Sequence, residues 1–145
     1  MSGDILRRAE AHDASAVAEL AGQLGYPSDE ATMQVRIEAA QNCGTRDVIV
    51  AERDGRVRGW IEVVIVESLA NDPFAEIHGL IVHEEERGGG LGARLVAAAE
   101  AWAMERGLIR IRVKSNVARE RTRKFYEKCG YTVTKTQSVF DKMLE

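Results

Sequence analysis

The spacing of hydrophobic and polar residues changes several times along the 145-residue chain, and each change predicts a different element. Apolar residues that recur every three to four positions are typical of amphipathic helices, expected after Asp13, after Ser28, and over residues 91–104 and 117–129. Short runs of β-branched and apolar residues, some alternating with polar ones, are typical of strands. Strands are expected over residues 5–8, 48–51, 57–66, 75–82, 109–114 and, once or twice, 131–144.

Residues that start or stop regular structure stand between these segments. Asp13 and Ser28 are expected N-caps, and Gly25 is expected to end the first helix. Asp54-Gly55 predicts a tight β-hairpin. The resulting order, β-α-α-β-β-β-α-β-α-β, predicts a single α+β domain over residues 1–145, a mixed α/β layer built on one sheet.

Composition narrows the class of protein. Hydrophobic residues make up 45% of the chain and charged residues 30%, as in ordinary globular domains. No apolar run is long enough to cross a bilayer and the first four residues lack signal-peptide features, so a cytoplasmic protein without membrane contact is expected. Cys43 and Cys129 are expected to be reduced, and the absence of a Cys/His cluster predicts no metal site.

The net charge of −3 conceals an uneven distribution. Residues 106–128 contain nine Lys and Arg residues but only two acidic ones, whereas residues 62–86 are rich in Glu and Asp. A basic half is suited to a polyanionic cofactor and an acidic half to a cationic substrate. A sequence pI of about 5.7 and the lack of a recognised binding motif argue against nucleic acid.

The segment from Arg87 to Ala93, with sequence RGGGLGA, joins an expected strand to an expected helix. A helix leaves its first N–H groups without intrahelical acceptors, and its dipole places partial positive charge there. Glycines allow a phosphate to approach this backbone closely and permit positive φ angles. The segment therefore predicts a site for a phosphorylated cofactor.

Three families of glycine-rich phosphate loop compete for this segment. A P-loop requires a Lys that does not follow Gly92 here. The dinucleotide motif G-x-G-x-x-G/A is matched by Gly88, Gly90 and Ala93, but the following strand ends at Asn116 without the acidic residue that would bind a ribose. The third motif, R/Q-x-x-G-x-G/A, is matched by Arg87, Gly90 and Gly92.

This third motif, the order of elements and a later FYEKCGY segment (residues 125–131) together resemble the GNAT superfamily of N-acetyltransferases over nearly the whole chain. The resemblance implies a GNAT fold, a mostly antiparallel twisted sheet of six to seven strands with about four helices on its faces. It implies acetyl-CoA as acyl donor, with the pyrophosphate on the glycine turn and the pantetheine arm along the strand before it. The implied cofactor-binding residues are Leu80, Ile81, Val82, Arg87, Gly88, Gly89, Gly90, Leu91, Gly92, Ala93, Asn116, Arg119, Arg123 and Tyr126.

The resemblance also implies catalytic roles. Tyr126 of the FYEKCGY segment corresponds to the family tyrosine that protonates the leaving thiolate. Glu76 lies eleven positions before Arg87, where the histone-acetyltransferase branch carries its base. His78 shares a strand face with Glu76, and Gly79 after it suggests a bulge. The base is therefore Glu76, His78 or a chain of waters.

The acceptor is expected to be a primary amine on a small cationic metabolite or an antibiotic-like compound. In this family acceptors contact the early helices and the loop before the catalytic strand, which implies substrate contacts at Tyr26, Glu67, Phe74 and His78. A protein or peptide amine, a longer acyl group, and a non-catalytic acyl-CoA-binding regulatory module are alternatives. A homodimer through residues 134–144 is also possible.

Overall fold

The computed structural model describes residues 3–23, 25, 27–116 and 118–145. The chain forms two compact units, residues 1–114 and 115–145. Among its described residues, the first unit contains five strands, three α-helices and two short 3-10 turns. Its elements are β1 (Ile5–Arg8), α1 (Ala14–Gln23), α2 (Glu30–Gln41), β2 (Arg46–Arg53), β3 (Arg56–Val66), β4 (Phe74–Val82), α3 (Leu91–Glu105) and β5 (Ile111–Val113).

The strands form one sheet in chain order, β1 to β5. Neighbours from β1 to β4 are antiparallel, and β4 and β5 are parallel. The predicted hairpin between β2 and β3 is confirmed, since Asp54 and Gly55 have φ angles of 54° and 77°. Positive φ at both central residues is characteristic of a type I′ turn, whose twist matches that of the flanking strands.

The sheet is covered on both faces. Alternate residues Val48 and Val50 of β2 pack with α1 and α2 in one apolar cluster that also includes Ile81 of β4. Gly59 of β3 lies under α3, where an added Cβ would stand 3.1 Å from the Leu95 side chain. Because side chains alternate along a strand, each strand contributes one set of residues to each layer.

A buried carboxylate fastens α3 to the sheet. The Asp47 side chain is 4% exposed and accepts hydrogen bonds from Arg8 Nε at 3.0 Å and from Trp102 Nε1 at 3.2 Å. Its Oδ1 also accepts from the Val48 backbone N–H at 3.1 Å. A buried carboxylate with this many donors joins β1, β2 and α3 at one point.

The second unit contains one regular element, α4 (Glu120–Lys128), among its described residues. The sequence prediction of a helix from residue 117 was therefore too long at its start, and residue 117 itself lies outside the described residues. The predicted strand over residues 131–144 is wrong: the described chain there has no regular structure, and residues 132–145 are all exposed. The sheet consequently has five strands instead of the six to seven expected, although the α+β class is confirmed.

Two local predictions also need correction. The N-cap of α2 is Asp29, whose Oδ1 accepts from the Thr32 N–H at 2.6 Å, and not Ser28. The predicted strand over residues 109–114 is only three residues long, and Ile109 is 97% exposed. The alternation of apolar and basic residues predicted one buried face along the whole segment, but β5 covers only residues 111–113, and all three are half-buried.

Candidate active site

The predicted turn between β4 and α3 exposes a row of backbone donors. Gly88 and Gly90 have φ angles of 85° and 86°, in the left-handed region that favours glycine. The N–H groups of residues 88 and 90–93 have no acceptor among the described residues, and the first helical bond on the backbone here runs from Arg94 to Gly90. Five donors at a helix N-terminus match the requirements of a diphosphate.

Ion pairs hold this turn against the β2–β3 hairpin. Glu86, in the 3-10 turn before Arg87, pairs with Arg53 and accepts from Arg58 Nη2 at 3.2 Å. These interactions, with that of Arg53 the strongest, hold the pKa of Glu86 below its usual range. The Arg87 side chain is exposed and makes no hydrogen bond or ion pair with another described residue, so its guanidinium is open to an anion.

The strand before this turn has an open edge. β4 pairs with β5 only from Ala75 to Ile77, and from His78 to Val82 its described pairing is with β3 alone. Backbone groups of Leu80, Ile81 and Val82 along this edge can pair with the amides of an extended ligand. Only backbone is available there, since the Ile81 side chain belongs to the core.

A bulge marks the point at which the edge opens, as the sequence predicted. Glu62 pairs with Gly79 and Val63 with Ile77, so His78 is an extra residue on β4. A Cβ at Gly79 would stand 3.1 Å from the Trp60 ring, which accounts for glycine at this position. Bulges re-aim side chains, and the His78 side chain is 45% exposed.

Glu76 is buried between two partners, and its side chain is 7% exposed. Its Oε2 accepts from Arg112 Nε at 2.6 Å, and its Oε1 lies 2.9 Å from His78 Nε2. Burial alone would raise the pKa of Glu76, but the hydrogen bonds from Arg112 and His78 outweigh it and lower the pKa below its usual value. Glu76 is thus an anion with both oxygens engaged.

The described candidates for substrate binding differ in their exposure. The Phe74 side chain is buried, and the guanidinium carbons of Arg110 and Arg112 lie 4.0 and 4.5 Å from its ring centroid. The ring is therefore covered by cations and is not an open aromatic face. Glu67 is exposed in the loop after β3, and Tyr26 lies outside the described residues.

Tyr126 lies in the second unit, on α4. Its ring is 8% exposed and makes edge contacts with Phe125 and Tyr131, at centroid distances of 5.0 and 5.6 Å. Burial, assisted by Cys129, raises the pKa of Tyr126 to about 12. The phenol therefore keeps its proton throughout the neutral range and can donate it.

The other candidates of the second unit are exposed. Asn116 Oδ1 accepts from the Ala118 N–H at 2.9 Å, which leaves its amide NH₂ available. Arg119 precedes α4, and Arg123 forms a pair with Glu127 at 3.4 Å. These three side chains are exposed, so their N–H groups are accessible to a ligand. Their role in cofactor binding stays a prediction.

Sequence reasoning missed Arg112, Arg53 and Arg58. The sequence pattern places Arg112 only within the strand expected over residues 109–114, yet its guanidinium pairs with Glu76 across the parallel β4–β5 pair. The signal that could have found it is register: Glu76 pairs directly with Arg112, and opposite charges on paired positions of neighbouring strands attract.

The described residues contain neither a metal-ligand cluster nor a membrane-spanning helix. No group of three or more His, Cys, Asp or Glu side chains is arranged to hold a metal ion within residues 3–23, 25, 27–116 and 118–145. No helix in that part of the chain has the length and hydropathy needed to cross a membrane.

Comparison with known proteins identifies the family. The sequence model of the acetyltransferase (GNAT) family matches residues 14–131. A 5-NmdU N-acetyltransferase of Pseudomonas phage PaMx11 is 28% identical over 130 residues, 89% of this chain and 87% of the relative. An aminoglycoside N(6')-acetyltransferase type 1 of Stenotrophomonas maltophilia is 25% identical over 149 residues, 99% of this chain and 96% of the relative.

The fold agrees with that of solved acetyltransferases. The structure of aminoglycoside N-acetyltransferase AAC(6')-Iy in complex with CoA superposes with a TM-score of 0.87 at 18% identity, covering 99% of this chain and 97% of that one. The GNAT fold expected from the glycine turn and the FYEKCGY segment is therefore confirmed. The chain belongs to the GNAT family of acetyltransferases and is an acetyl-CoA-dependent N-acetyltransferase.

Proposed function

We propose that this enzyme acetylates a primary amine of a small cationic metabolite or an antibiotic-like compound by direct attack in a ternary complex. The observation that carries the proposal is the exposed His78, held by the Glu76 carboxylate at the point where the edge of β4 opens. A half-exposed imidazole beside an open backbone edge brings a proton acceptor to the place where an extended thioester would lie.

Acetyl-CoA supplies an activated thioester carbonyl, and the residues of this chain hold and orient it. The donors of residues 88 and 90–93 fit its diphosphate, and Arg87 is free to add a bidentate contact. The open edge at Leu80–Val82 fits the two amides of the pantetheine arm. Asn116, Arg119 and Arg123 are proposed to contact the rest of the cofactor.

His78 is the proposed base, and Glu76 its positioning residue. At pH 7 only about one molecule in a thousand of a primary alkyl amine is in the neutral form, so acetyl transfer requires a group that removes a proton from the ammonium form. A carboxylate can only accept a hydrogen bond, so the Glu76 anion fixes the proton of His78 on Nε2. Nδ1 is then left as the acceptor, either for the ammonium or for a water between them.

Glu76 is less suited to act as the base itself, although the resemblance to the histone-acetyltransferase branch made it one of the three candidates. Both of its oxygens already accept hydrogen bonds, and the adjacent Arg112 cation disfavours its protonation. Proton acceptance by Glu76 would break a buried ion pair, which is energetically costly. An Asp-His pair in serine hydrolases divides the roles in the same way.

Tyr126 is the proposed acid for the leaving thiolate. Its pKa of about 12 keeps the phenol protonated wherever the enzyme is assayed. A thiol with a pKa near 8.5 is already a fair leaving group, so the proton accelerates departure without being essential to it.

The acceptor class rests on charge and on relatives. Exposed Glu67 and Asp72 in the loop before β4 offer carboxylates to an ammonium-bearing ligand. The relatives named above act on an aminoglycoside and on 5-NmdU, which supports an amine on a small molecule.

The test is release of free thiol from acetyl-CoA in the presence of a panel of acceptors. The panel contains aminoglycosides, polyamines, amino acids and peptides with a free N-terminus, and mass spectrometry identifies the product. We expect turnover with at least one small cationic amine and loss of that turnover in His78→Ala. Turnover confined to peptides, or thiol release with no acetylated amine, would refute the proposed substrate class.

A further inference from the structure

A network of five charged side chains connects the two ends of the glycine turn, residues 87–93. Glu86, the residue before the turn, pairs with Arg53 and accepts a hydrogen bond from Arg58 Nη2 at 3.2 Å. At the other end, Arg94 Nη1 of α3 donates to Asp4 Oδ2 at 2.7 Å. Asp4 Oδ1 lies 3.6 Å from Arg53 Nε, so Asp4 and Arg53 join the two pairs into one network, here called the turn network.

The turn network is anchored in the sheet. Arg53 is the last residue of β2 and Arg58 lies near the start of β3, so both belong to a hairpin whose strands are paired on each side. The Asp4 and Glu86 side chains are 14% and 18% exposed. Isolated surface ion pairs contribute little to stability, whereas several charges joined and partly shielded from water hold a defined geometry more effectively.

The glycine turn needs such an anchor because it has few bonds of its own. Its Gly88 and Gly90 are in the left-handed region, and glycine loses more conformational freedom on ordering than any other residue. The N–H groups of residues 88 and 90–93 make no hydrogen bond with a described residue. A site that is ordered before its ligand arrives binds more tightly, because the cost of ordering does not fall on the binding step.

We propose that the turn network positions the backbone donors of residues 88 and 90–93 for the diphosphate of acetyl-CoA, with Glu86 as its central positioning residue. The proposal rests on the diphosphate site proposed above and is independent of the acceptor. Charge alone gives the opposite expectation for Glu86, because a carboxylate directly before an anion site repels the anion. Its place in the sequence is explained by its two bonds to the hairpin, which hold the start of the turn against the sheet.

The test is calorimetry with coenzyme A on the full-length chain carrying Glu86→Gln. Positioning and charge predict opposite signs, since glutamine removes a negative charge but also loosens the turn. We expect binding about tenfold weaker than in the wild-type chain. Asp4→Asn breaks the link to Arg94 at the other end of the turn and should also weaken binding.

Glu85→Gln is the matched control. It removes the same charge one position earlier, but the Glu85 side chain is 73% exposed and its carboxylate approaches Arg58 only to 4.0 Å. Its affinity for coenzyme A should equal or slightly exceed that of the wild-type chain. Urea unfolding establishes that each variant is folded at the temperature of the binding measurement.

Steady-state kinetics with the best acceptor provide a readout that a general loss of structure would not give. In Glu86→Gln the KM for acetyl-CoA should rise about tenfold while kcat changes by less than about twofold, as expected when only cofactor binding is weakened. Glu76 and His78, which are proposed to act on the acceptor, do not belong to the turn network. A fall in kcat without a rise in KM would overturn the proposal.

The binding results also separate this proposal from the diphosphate site on which it rests. Wild-type or tighter binding by Glu86→Gln, or an equal loss in Glu85→Gln, would overturn the positioning role. If Gly90→Ala weakens binding and Glu86→Gln does not, the turn binds the diphosphate without help from the network. If neither variant weakens binding, the diphosphate does not bind this turn and both proposals fail.

Discussion

The division of roles between Glu76 and His78 predicts an unusual response to Glu76→Gln. The amide oxygen of glutamine can still accept from His78 Nε2, so the imidazole keeps its partner but loses the adjacent negative charge. Glutamine therefore keeps His78 in position but weakens the hydrogen bond that holds it. The plateau of kcat/KM should fall, but by less than the removal of His78 itself lowers it.

The structure sets the size of this loss. Glu76 Oε1 lies 2.9 Å from His78 Nε2, and a hydrogen bond to a charged group contributes about 1.5–3 kcal/mol, compared with about 0.5–1.5 kcal/mol for a bond between neutral groups. The difference is about 1.4 kcal/mol, which corresponds to about tenfold in rate.

The assay is kcat/KM for the best acceptor across pH, with thiol release as readout. We expect Glu76→Gln to lower the plateau about tenfold and His78→Ala to lower it about a hundredfold, within the range for a general base. Glu52→Gln is the control, because Glu52 also pairs with an arginine of a neighbouring strand, Arg7, and its profile should not change. If Glu76→Gln lowers the plateau more than His78→Ala does, Glu76 is the base and the assignment is wrong.

Three further predictions concern single side chains. Tyr126→Phe should lower kcat about tenfold at neutral pH without changing the acid limb, because the pKa of Tyr126 is about 12; unchanged turnover would remove its role as the acid. Asp13→Asn should destabilise the fold by about 2 kcal/mol at pH 7, because Asp13 accepts two hydrogen bonds from Arg7. Burial opposes ionisation of Asp13, but these bonds outweigh it and hold the pKa of Asp13 below its usual value of about 4. The ionised carboxylate therefore stabilises the fold above about pH 4, and the stability difference between Asp13→Asn and wild type should vanish as the pH falls well below that. A stability difference in urea unfolding that does not change with pH would contradict this. Asp47→Ala should lower the melting temperature by about 5–10 °C, because it leaves the indole N–H of Trp102 without a hydrogen-bond acceptor in the core. A change under 2 °C (about 0.5 kcal/mol) would refute the role of Asp47 in holding α3 on the sheet.

Local signals in the sequence located the parts of the site that are built from consecutive residues. The turn at Arg87–Ala93 follows from a strand, a glycine cluster and a helix pattern, and the structure has both left-handed glycines there. The bulge at His78 was signalled by Gly79, and the hairpin by Asp54-Gly55. In each case the conformation is determined by a few neighbouring residues, which a single sequence displays.

Features that depend on residues far apart in the chain could not be predicted from local sequence signals. Arg112 is thirty-six positions after Glu76, and only the register of β4 and β5 brings the pair together. Phe74 was expected to face a substrate, but two arginines of the β5 segment cover it. Residues 131–144 have a strand-forming pattern, but strand formation depends on pairing as well as on pattern, and the described residues 132–144 form no regular element.

The most direct test of the account compares two glycines at opposite ends of α3. Gly90 and Gly107 have φ angles of 86° and 76°, and an added Cβ would meet nothing within 4 Å at either site. Alanine should therefore cost a similar stability of about 1–2 kcal/mol at both. Calorimetry with coenzyme A should show at least about tenfold weaker binding for Gly90→Ala, about 1.4 kcal/mol, and wild-type binding for Gly107→Ala. Equal affinity in the two folded variants would contradict a diphosphate site on the backbone donors of this turn.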